Sequence, residues 1–298
     1  MENFLIGQHS TFCESKYNRD FKQQFWGIEA CLLETEEDVS RLIDFKNRDG
    51  FNIGIHFPLR SGQWTHRDPQ YLSNNDKVRL DSFDYMMREI DYSMKVEPKY
   101  ILFHYPKPVL LDNHVDWHGW KWRFYDKSEY FYEDECDFNT FRERSNYFFK
   151  WLSREAKEKG FSPILELDAI PSYLYKTNLL EELLDLYPDI RLCVDIGRLH
   201  IQNKIDEKFD SFRFLDRVVN DVSEVHLWNI KITDEVTHNH YPALPTLAPE
   251  DGWADIEKYF RILGKSDRKL KILFEHRSDL IKDFELEECY SWISKLAK

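Results

Sequence analysis

Eight short runs rich in Ile, Leu, Val and Phe recur along the chain and are separated by longer, helix-like stretches. Inside the runs, apolar and polar residues hardly alternate, which is typical of strands that are covered on both faces. The predicted strands are residues 4–8, 28–34, 51–57, 100–106, 163–169, 190–197, 223–231 and 271–277.

The segments between the strands carry helix start and stop signals. Thr35 is a favourable N-cap for residues 36–50, which end in Gly50, and residues 139–160 also end in glycine. Repeated strand–helix pairs imply right-handed crossovers and a parallel sheet. Because eight such units close a barrel, we expect a single (β/α)8 TIM barrel over residues 1–298. A doubly wound open sheet is the alternative, since the pattern alone does not prove closure.

One connection is much longer than the others. Residues 106–137, after the fourth predicted strand, contain eight large aromatic side chains. A loop of this length is functional or disordered, and so many rings argue against disorder. It would lie at the rim where barrel enzymes have their active sites. We predict a lid that brings Trp117, Trp120 or Trp122 near the pocket; the alternative is a contact between the subunits of a homodimer.

Composition narrows the class of protein. With 298 residues, 42% of them hydrophobic, the chain can bury a sizeable core. It has no apolar run of about 18 residues that would span a membrane. The segment MENFLIGQHS lacks the basic and apolar stretches of a signal peptide. Five scattered cysteines without a CxxC pair favour free thiols, and hence a cytoplasmic location.

Charge and aromatic content bear on the partner. The formal net charge is −13 and the chain has no Lys/Arg run. This balance disfavours nucleic acid and favours a small or neutral ligand. Aromatic residues make up 16% of the chain, and rings beyond the needs of the core often line carbohydrate pockets. We therefore expect a small, sugar-like partner.

The candidate chemistry lies in the last four predicted strands. Each carries one acidic or imidazole side chain near its C-terminal end, where an unpaired buried charge would be costly. Three carboxylates and one imidazole at one rim are suitable ligands for Mn, Mg, Co or Zn. Alternatively, each pairs with a nearby Arg198, Arg277 or His276. The four predicted metal ligands are Glu166, Asp195, His226 and Glu275.

Further histidines occur in similar places. His104, in the fourth predicted strand, could complete a second metal site in which Glu166 is the bridging carboxylate. Hydrogen bonding to substrate and simple packing are equally open for each of these histidines. The others are His56 and His66 around the third predicted strand, and His238 and His240 after the seventh.

The order of short motifs resembles the xylose isomerase-like barrel superfamily. The motifs are HFP, FHYP, ILEL, CVDIGRLH, EVHLWNIK, HNHYPALP followed by DGWADI, and ILFEHR, and they cover nearly the whole chain. That group contains sugar (phosphate) isomerases and epimerases and the barrel-type AP endonucleases. The resemblance implies a metal site formed by Glu, Asp, His and Glu of strands five to eight, which map to Glu166, Asp195, His226 and Glu275.

Two positions depart from the family pattern. Arg198 occupies the place of the histidine in the usual Asp-x-x-His motif, which helps hold a third zinc in the endonucleases. Leu167 follows Glu166 where many relatives have Asn, and Asp168 is a possible substitute contact. Because an arginine cannot ligate zinc, a trinuclear site is disfavoured. Arg198 either pairs with a carboxylate such as Asp168 or binds an anionic or hydroxylated substrate; we favour the second role.

These features predict a metal-dependent isomerase or epimerase of a sugar or sugar phosphate. The metal would bind the carbonyl and adjacent hydroxyl oxygens and stabilise an enediolate. Glu166 and Glu275 would exchange the proton on opposite faces of the reacting carbon, while the lid excludes water.

Two other functions remain open. An AP-endonuclease-like phosphodiesterase would use His66, His104 and Glu166 for an additional metal. A non-catalytic sugar-binding barrel would keep the metal only as structure. The number of metal ions per chain separates the three: one for the isomerase, two or three for the hydrolase, and none if the four side chains pair with arginines.

Overall fold

The computed structural model describes residues 1–117 and 127–298. Its strands, in chain order, are β1 (Phe4–His9), β2 (Gly27–Cys31), β3 (Asn52–His56), β4 (Tyr100–Tyr105), β5 (Val109–Leu111), β6 (Tyr130–Tyr132), β7 (Ser162–Leu167), β8 (Arg191–Asp195), β9 (Val222–Leu227), β10 (Asn229–Ile232), β11 (Val236–Tyr241) and β12 (Lys271–Phe274).

The α-helices follow the barrel strands in the order that the sequence predicts. They are α1 (Glu14–Asp20), α2 (Glu36–Asp49), α3 (Asp76–Ser93), α4 (Phe138–Lys159), α5 (Ser172–Tyr175), α6 (Leu179–Leu186), α7 (Ile196–Ile205), α8 (Ser211–Val218), α9 (Ile256–Leu263) and α10 (Asp283–Leu296).

Eight of the strands close into a parallel barrel in the order β1, β12, β9, β8, β7, β4, β3, β2. Closure rests on pairing of the first strand with both neighbours: Phe4 to Ile6 pair with Ile272 to Phe274, and Leu5 to His9 pair with Gly27 to Cys31. The predicted (β/α)8 barrel is therefore confirmed and the open doubly wound sheet is wrong.

The alternation of side chains along the strands places the site. In a barrel, inward residues alternate with residues that face the helices. The interior cluster consists of Leu5, Tyr100, Leu102, Ile164, Cys193 and Leu273. Two positions after four of these come His104, Glu166, Asp195 and Glu275, so the same alternation directs their side chains inward at the C-terminal mouth.

Local chemistry explains where the elements begin and end. The Thr35 side chain accepts a hydrogen bond from the backbone N–H of Asp38, and Gly50 closes α2 at φ 75°, as predicted for this helix. The predicted strand 28–34 stops at Cys31, and Leu32 has a φ of 53°. The predicted strand 190–197 stops at Asp195, because its side chain caps α7 by accepting from the backbone N–H of Arg198.

The predicted strand 223–231 is two strands. Barrel strand β9 ends at Leu227, and β10 pairs with β11 in a separate antiparallel sheet beyond the rim. The insertion at 106–137 contains a second small sheet, in which Val109 to Leu111 of β5 pair in parallel with Tyr130 to Tyr132 of β6.

Two further features were expected from composition. Within the described ranges, no helix has the length and apolar character needed to cross a membrane. All five cysteines are free thiols, and four of them are buried.

Replacing Gly54 of β3 by alanine should destabilise the barrel. An added Cβ there would lie 2.1 Å from Cζ of Tyr100, whereas at Gly7 of β1 the nearest atom, Cδ1 of Leu273, is 3.9 Å away. Overpacking a filled core costs about 1–3 kcal/mol. Gly54→Ala should therefore lower the urea midpoint while Gly7→Ala leaves it nearly unchanged. Equal midpoints would contradict the close packing around Tyr100.

Candidate active site

Glu166, at the C-terminal end of β7, lies at the centre of the polar side chains of the mouth. It is fully buried. Its Oε2 lies 3.1 Å from Nε2 of His56 and 3.1 Å from Nε2 of His104. Its Oε1 lies 3.2 Å from Nη1 of Arg198 and 3.6 Å from Nδ1 of His226. Four basic groups from four different parts of the barrel therefore converge on this single carboxylate.

These neighbours keep Glu166 ionised. Burial opposes ionisation of the carboxyl, but the charges of Arg198, His226 and His104 together hold the pKa of Glu166 well below its usual range. A buried, ionised carboxylate is costly unless it is compensated, so the convergence of basic groups is a physical requirement for Glu166 at this position.

Three of the four predicted metal ligands are linked through His226. Nδ1 of His226 lies 3.6 Å from Oε1 of Glu166 and 3.4 Å from Oε2 of Glu275. These three atoms are buried and have no hydrogen-bond partner among the described residues. Donors bound at about 2.1 Å to one tetrahedral ion lie about 3.4 Å apart. The two separations from His226 match this spacing, although the three residues are not among the groups whose donor atoms all lie within 4.8 Å of one another in the described chain.

The fourth predicted ligand, Asp195, is linked to this group through Arg198. Its Oδ2 lies 2.9 Å from Nε of Arg198, and its Oδ1 accepts from the backbone N–H of the same residue. Nη1 of Arg198 also lies 2.7 Å from Oδ1 of Asp168. Arg198 is 3% exposed, so of the two roles considered for it, pairing with Asp168 is observed.

Glu166 belongs to a closed ring of buried ionisable side chains. Nζ of Lys107 lies 2.9 Å from both Asp68 and Asp168, and Nδ1 of His104 lies 3.0 Å from Asp68. Burial opposes the charges of Lys107 and of Asp68. Nevertheless Asp168 and Asp68 raise the pKa of Lys107, and His104 and Lys107 lower the pKa of Asp68 well below its usual range. In order, the ring is Glu166, Arg198, Asp168, Lys107, Asp68, His104 and back to Glu166.

Two groups of three residues have all their donor atoms within 4.8 Å of one another in the described chain. One is His56, His104 and Glu166; the other is Glu29, Glu224 and His226. For this place the hydrolase alternative predicted His66 together with His104 and Glu166, but the first group contains His56 instead of His66. The second lies deeper in the barrel, where the Tyr100 hydroxyl donates to Glu29 at 2.7 Å and lies 2.5 Å from Oε1 of Glu224.

The remaining predicted histidines lie outside these groups. His66 lies on the loop after β3, and its Nδ1 is 3.2 Å from Oγ of Ser128. His238 is exposed on β11. His240 is the nearest to the site, because its Nδ1 lies 2.9 Å from the backbone oxygen of Glu275 and its ring stacks on Trp228 at 4.1 Å.

Part of the predicted lid packs next to the site. Trp117 is buried, and its indole N–H donates to the backbone oxygen of Asp112 at 2.9 Å. It belongs to a cluster with Trp228, two residues beyond His226. Trp120 and Trp122 lie outside the described residues. That the segment acts as a lid stays a prediction.

Some polar residues of the site were not predicted. Glu29 and Glu224 carry the signal used for the metal ligands, an acidic residue inside a predicted buried strand, so the same rule could have found them. Burial and the charge of Glu29 raise the pKa of Glu224 to about 8, so this pair carries a proton at neutral pH. Asp68 and Lys107 lie in loops without periodicity, and no sequence signal singles them out.

Comparison with solved structures shows the fold of the xylose isomerase-like barrels. The chain is similar to 3-keto-D-glucoside 4-epimerase from E. coli (12% identity, TM-score 0.61, covering 98% of this chain and 99% of that chain). It is also similar to a xylose isomerase domain containing protein from Salmonella typhimurium LT2 (12%, 0.59, 100% and 98%). A third structure is an AP endonuclease, family 2, from Brucella melitensis (13%, 0.57, 99% and 99%).

No family model matches the chain, and no curated protein matches it in sequence. The resemblance drawn from the motifs is thus confirmed at the level of the fold. The similar solved structures include both epimerases and an endonuclease, so the likeness shows the fold and does not assign an activity.

Lys107→Met should destabilise the protein strongly, because it leaves Asp68 and Asp168 buried without the cation between them. Removing one partner of a buried ion pair costs about 3–5 kcal/mol. Lys77→Met is the matched control, since Lys77 pairs with Asp81 on the surface of α3 with 82% of its side chain exposed; such pairs contribute little. The measurement is the urea midpoint of each variant. Similar midpoints for both would show that the ring does not hold the mouth together.

Proposed function

We propose that this chain is a metal-dependent isomerase or epimerase that acts on a sugar or a sugar phosphate. The observation that carries the proposal is the group of three buried donor atoms, Glu166 Oε1, His226 Nδ1 and Glu275 Oε2, with separations of 3.6 and 3.4 Å from the imidazole nitrogen. Among the described residues these atoms have no hydrogen-bond partner. Glu166 Oε1 is also 3.2 Å from Nη1 of Arg198. Because buried polar atoms rarely lack a hydrogen bond, a divalent cation would supply the missing partner of His226 Nδ1 and Glu275 Oε2.

In this proposal Glu166, Asp195, His226 and Glu275 hold the ion, which is Mn, Zn, Co or Mg. When bound, it supplies a Lewis acid that orients two adjacent substrate oxygens and stabilises negative charge developing on them. The neighbours of the ligands then fix their geometry: His56 and His104 hold the second oxygen of Glu166 at 3.1 Å each, which leaves Oε1 directed at His226.

Glu275 and Glu166 are the proposed acid–base pair. The Glu275 side chain is 30% exposed, so it can reach a substrate in the mouth, whereas Glu166 is fully buried beneath it. They come from strand positions separated by β8 and β9. One carboxylate would take up the proton from the carbon next to the carbonyl, and the other, in its protonated form, would deliver its proton to the opposite face. Each turnover thus leaves the first carboxylate protonated and the second ionised.

The alternative is an AP-endonuclease-like phosphodiesterase with two or more metal ions. The group of His56, His104 and Glu166 favours it, since these residues could bind a second ion. Against it stands Arg198, whose guanidinium nitrogens lie 3.2 Å from Glu166 and 3.3 Å from Nε2 of His104. A permanent cation here repels every metal ion in the mouth, including one held by Glu166 Oε1 and Asp195. Two or three ions would raise this repulsion further, so we favour the isomerase with one ion.

The number of ions per chain tests the metal site. After chelation and reloading with Mn²⁺, the wild type should hold one ion per chain by mass spectrometry of the elements. His226→Ala and Glu166→Gln should each lose it, because both remove one of the three facing donors. Glu257→Gln, on the exposed face of α9, is the control. A stoichiometry of two or three supports the hydrolase, and zero supports a barrel stabilised by ion pairs alone.

Exchange of substrate hydrogen with solvent tests the reaction. A panel of aldoses, ketoses and their phosphates is incubated with Mn²⁺-loaded protein in D2O, and deuterium next to the carbonyl carbon is detected by NMR. Glu275→Gln should slow exchange by about 100-fold to 10,000-fold, the usual contribution of a general base, while Glu257→Gln should not. Cleavage of abasic-site DNA without sugar exchange would refute the proposed function.

A further inference from the structure

The two cationic members of the ring, Lys107 and Arg198, are not available to bind a charged substrate. Nζ of Lys107 lies 2.9 Å from each of two carboxylates. Arg198 contacts the carboxylates of Glu166, Asp168 and Asp195. Both side chains are buried and their charges are already compensated. An anionic group of a substrate would therefore have to bind elsewhere in the mouth.

On the opposite side of the mouth, three donor side chains have no carboxylate within ion-pair distance among the described residues. His9 ends β1 two residues after Gly7 and is exposed. Lys16 of α1 donates from Nζ to the backbone oxygen of Gly7 at 2.8 Å. Arg67 is exposed and precedes Asp68, which contacts His104.

Arg67 also lines a cavity of about 250 Å³ at the rim. Leu32 and Pro58 line the same cavity, and they follow the inward-facing ends of β2 and β3. Trp64 and His66, from the loop that carries Arg67, complete this side. The guanidinium is therefore both open to solvent and next to the barrel mouth, as a group that receives a ligand must be.

Of the three groups, only His9 has its charged form disfavoured by the other two, whereas the charge of Asp68 raises the pKa of Arg67. Partial burial and the positive charges of Arg67, His56 and Lys16 lower the pKa of His9, and burial lowers the pKa of Lys16 despite the charges of Asp20 and Glu275. The repulsion that Arg67 and Lys16 exert on protonated His9 is relieved when an anion binds beside it. His9 pairs with Cys31, which precedes the cavity residue Leu32, and Gly7, two residues before His9, accepts from Lys16. On a chain of net charge −13, such a local positive site selects for anions.

We infer that His9, Lys16 and Arg67 form a subsite for a negatively charged group of the substrate, a phosphate or a carboxylate. Nδ1 of His9 lies 2.8 Å from Oγ of Ser10; when it accepts from that hydroxyl, the Nε2–H can donate to the anion. Lys16 and Arg67 supply the charge. The inference rests on the proposed function for the reacting end of the substrate, which the residues around Glu166 would hold.

Calorimetric titration at constant ionic strength tests the subsite, with inorganic phosphate, D-fructose 6-phosphate, D-fructose and D-glucuronate as probes. At least one charged probe should bind the wild type, and the phosphorylated sugar or the uronate should bind more tightly than D-fructose. Arg67→Gln and Lys16→Gln should each weaken that binding by about 10-fold to 100-fold, the usual effect of losing a charged hydrogen bond. Arg261→Gln and Lys150→Gln, on exposed faces of α9 and α4, are the matched controls.

The outcomes separate the subsite from the metal site. Preference for D-fructose 6-phosphate identifies a phosphate, and preference for D-glucuronate a carboxylate. If no anion binds, or if the control variants lose binding as much as Arg67→Gln, the inference is overturned, whatever the metal content. Titrations of chelated protein run in parallel: inorganic phosphate or D-glucuronate that still binds there through Arg67 supports the subsite even where the metal-binding test fails. Thermal melting of each variant verifies that it is folded.

Discussion

A single fully buried carboxylate, Glu166, determines how the mouth of this barrel is built. Bringing an ionised group out of water is costly unless positive charge or hydrogen bonds replace the solvent. The four parts of the barrel that face Glu166 each contribute a basic group: His56, His104, Arg198 and His226. Because these basic groups are themselves buried, they need charged or polar partners of their own, which neighbouring strands and loops must supply.

The ring through Lys107 supplies these further partners. Arg198 compensates Glu166 but requires Asp168; Asp168 shares Lys107 with Asp68; and Asp68 fixes the Nδ1 side of His104. A histidine at position 198 would not need this chain of partners, because it can be neutral. The arginine thus connects the missing histidine with Asp168, the possible substitute contact beside the second departure, Leu167. A cluster built around a permanent cation has less room for metal ions than one built around imidazoles.

The sequence predicted the barrel and the inward residues of its strands well, because periodicity and strand order are local properties. An acidic residue in a buried strand identified Glu166, and its alternation with Ile164 explains why it points inward. The same rule applied to Glu29 and Glu224 would have revealed the deeper group around Tyr100. Loop residues escaped it: Asp68 and Lys107 acquire their role only when the loops after β3 and β4 meet, which no spacing along the chain encodes.

The finished site is electrostatically two-sided, and this arrangement follows from the barrel itself. Glu166 and Asp195 lie at the ends of β7 and β8, across the barrel from β1, whereas Glu275 follows β12, the neighbour of β1. His9 ends β1 two residues after Gly7, whose backbone oxygen accepts from Lys16. A ligand that reaches from Glu275 to Arg67 would meet a partly exposed carboxylate at one end and a cation at the other. A neutral polyol would use only the carboxylate end, so the cationic groups would contribute to binding only if the ligand carries negative charge.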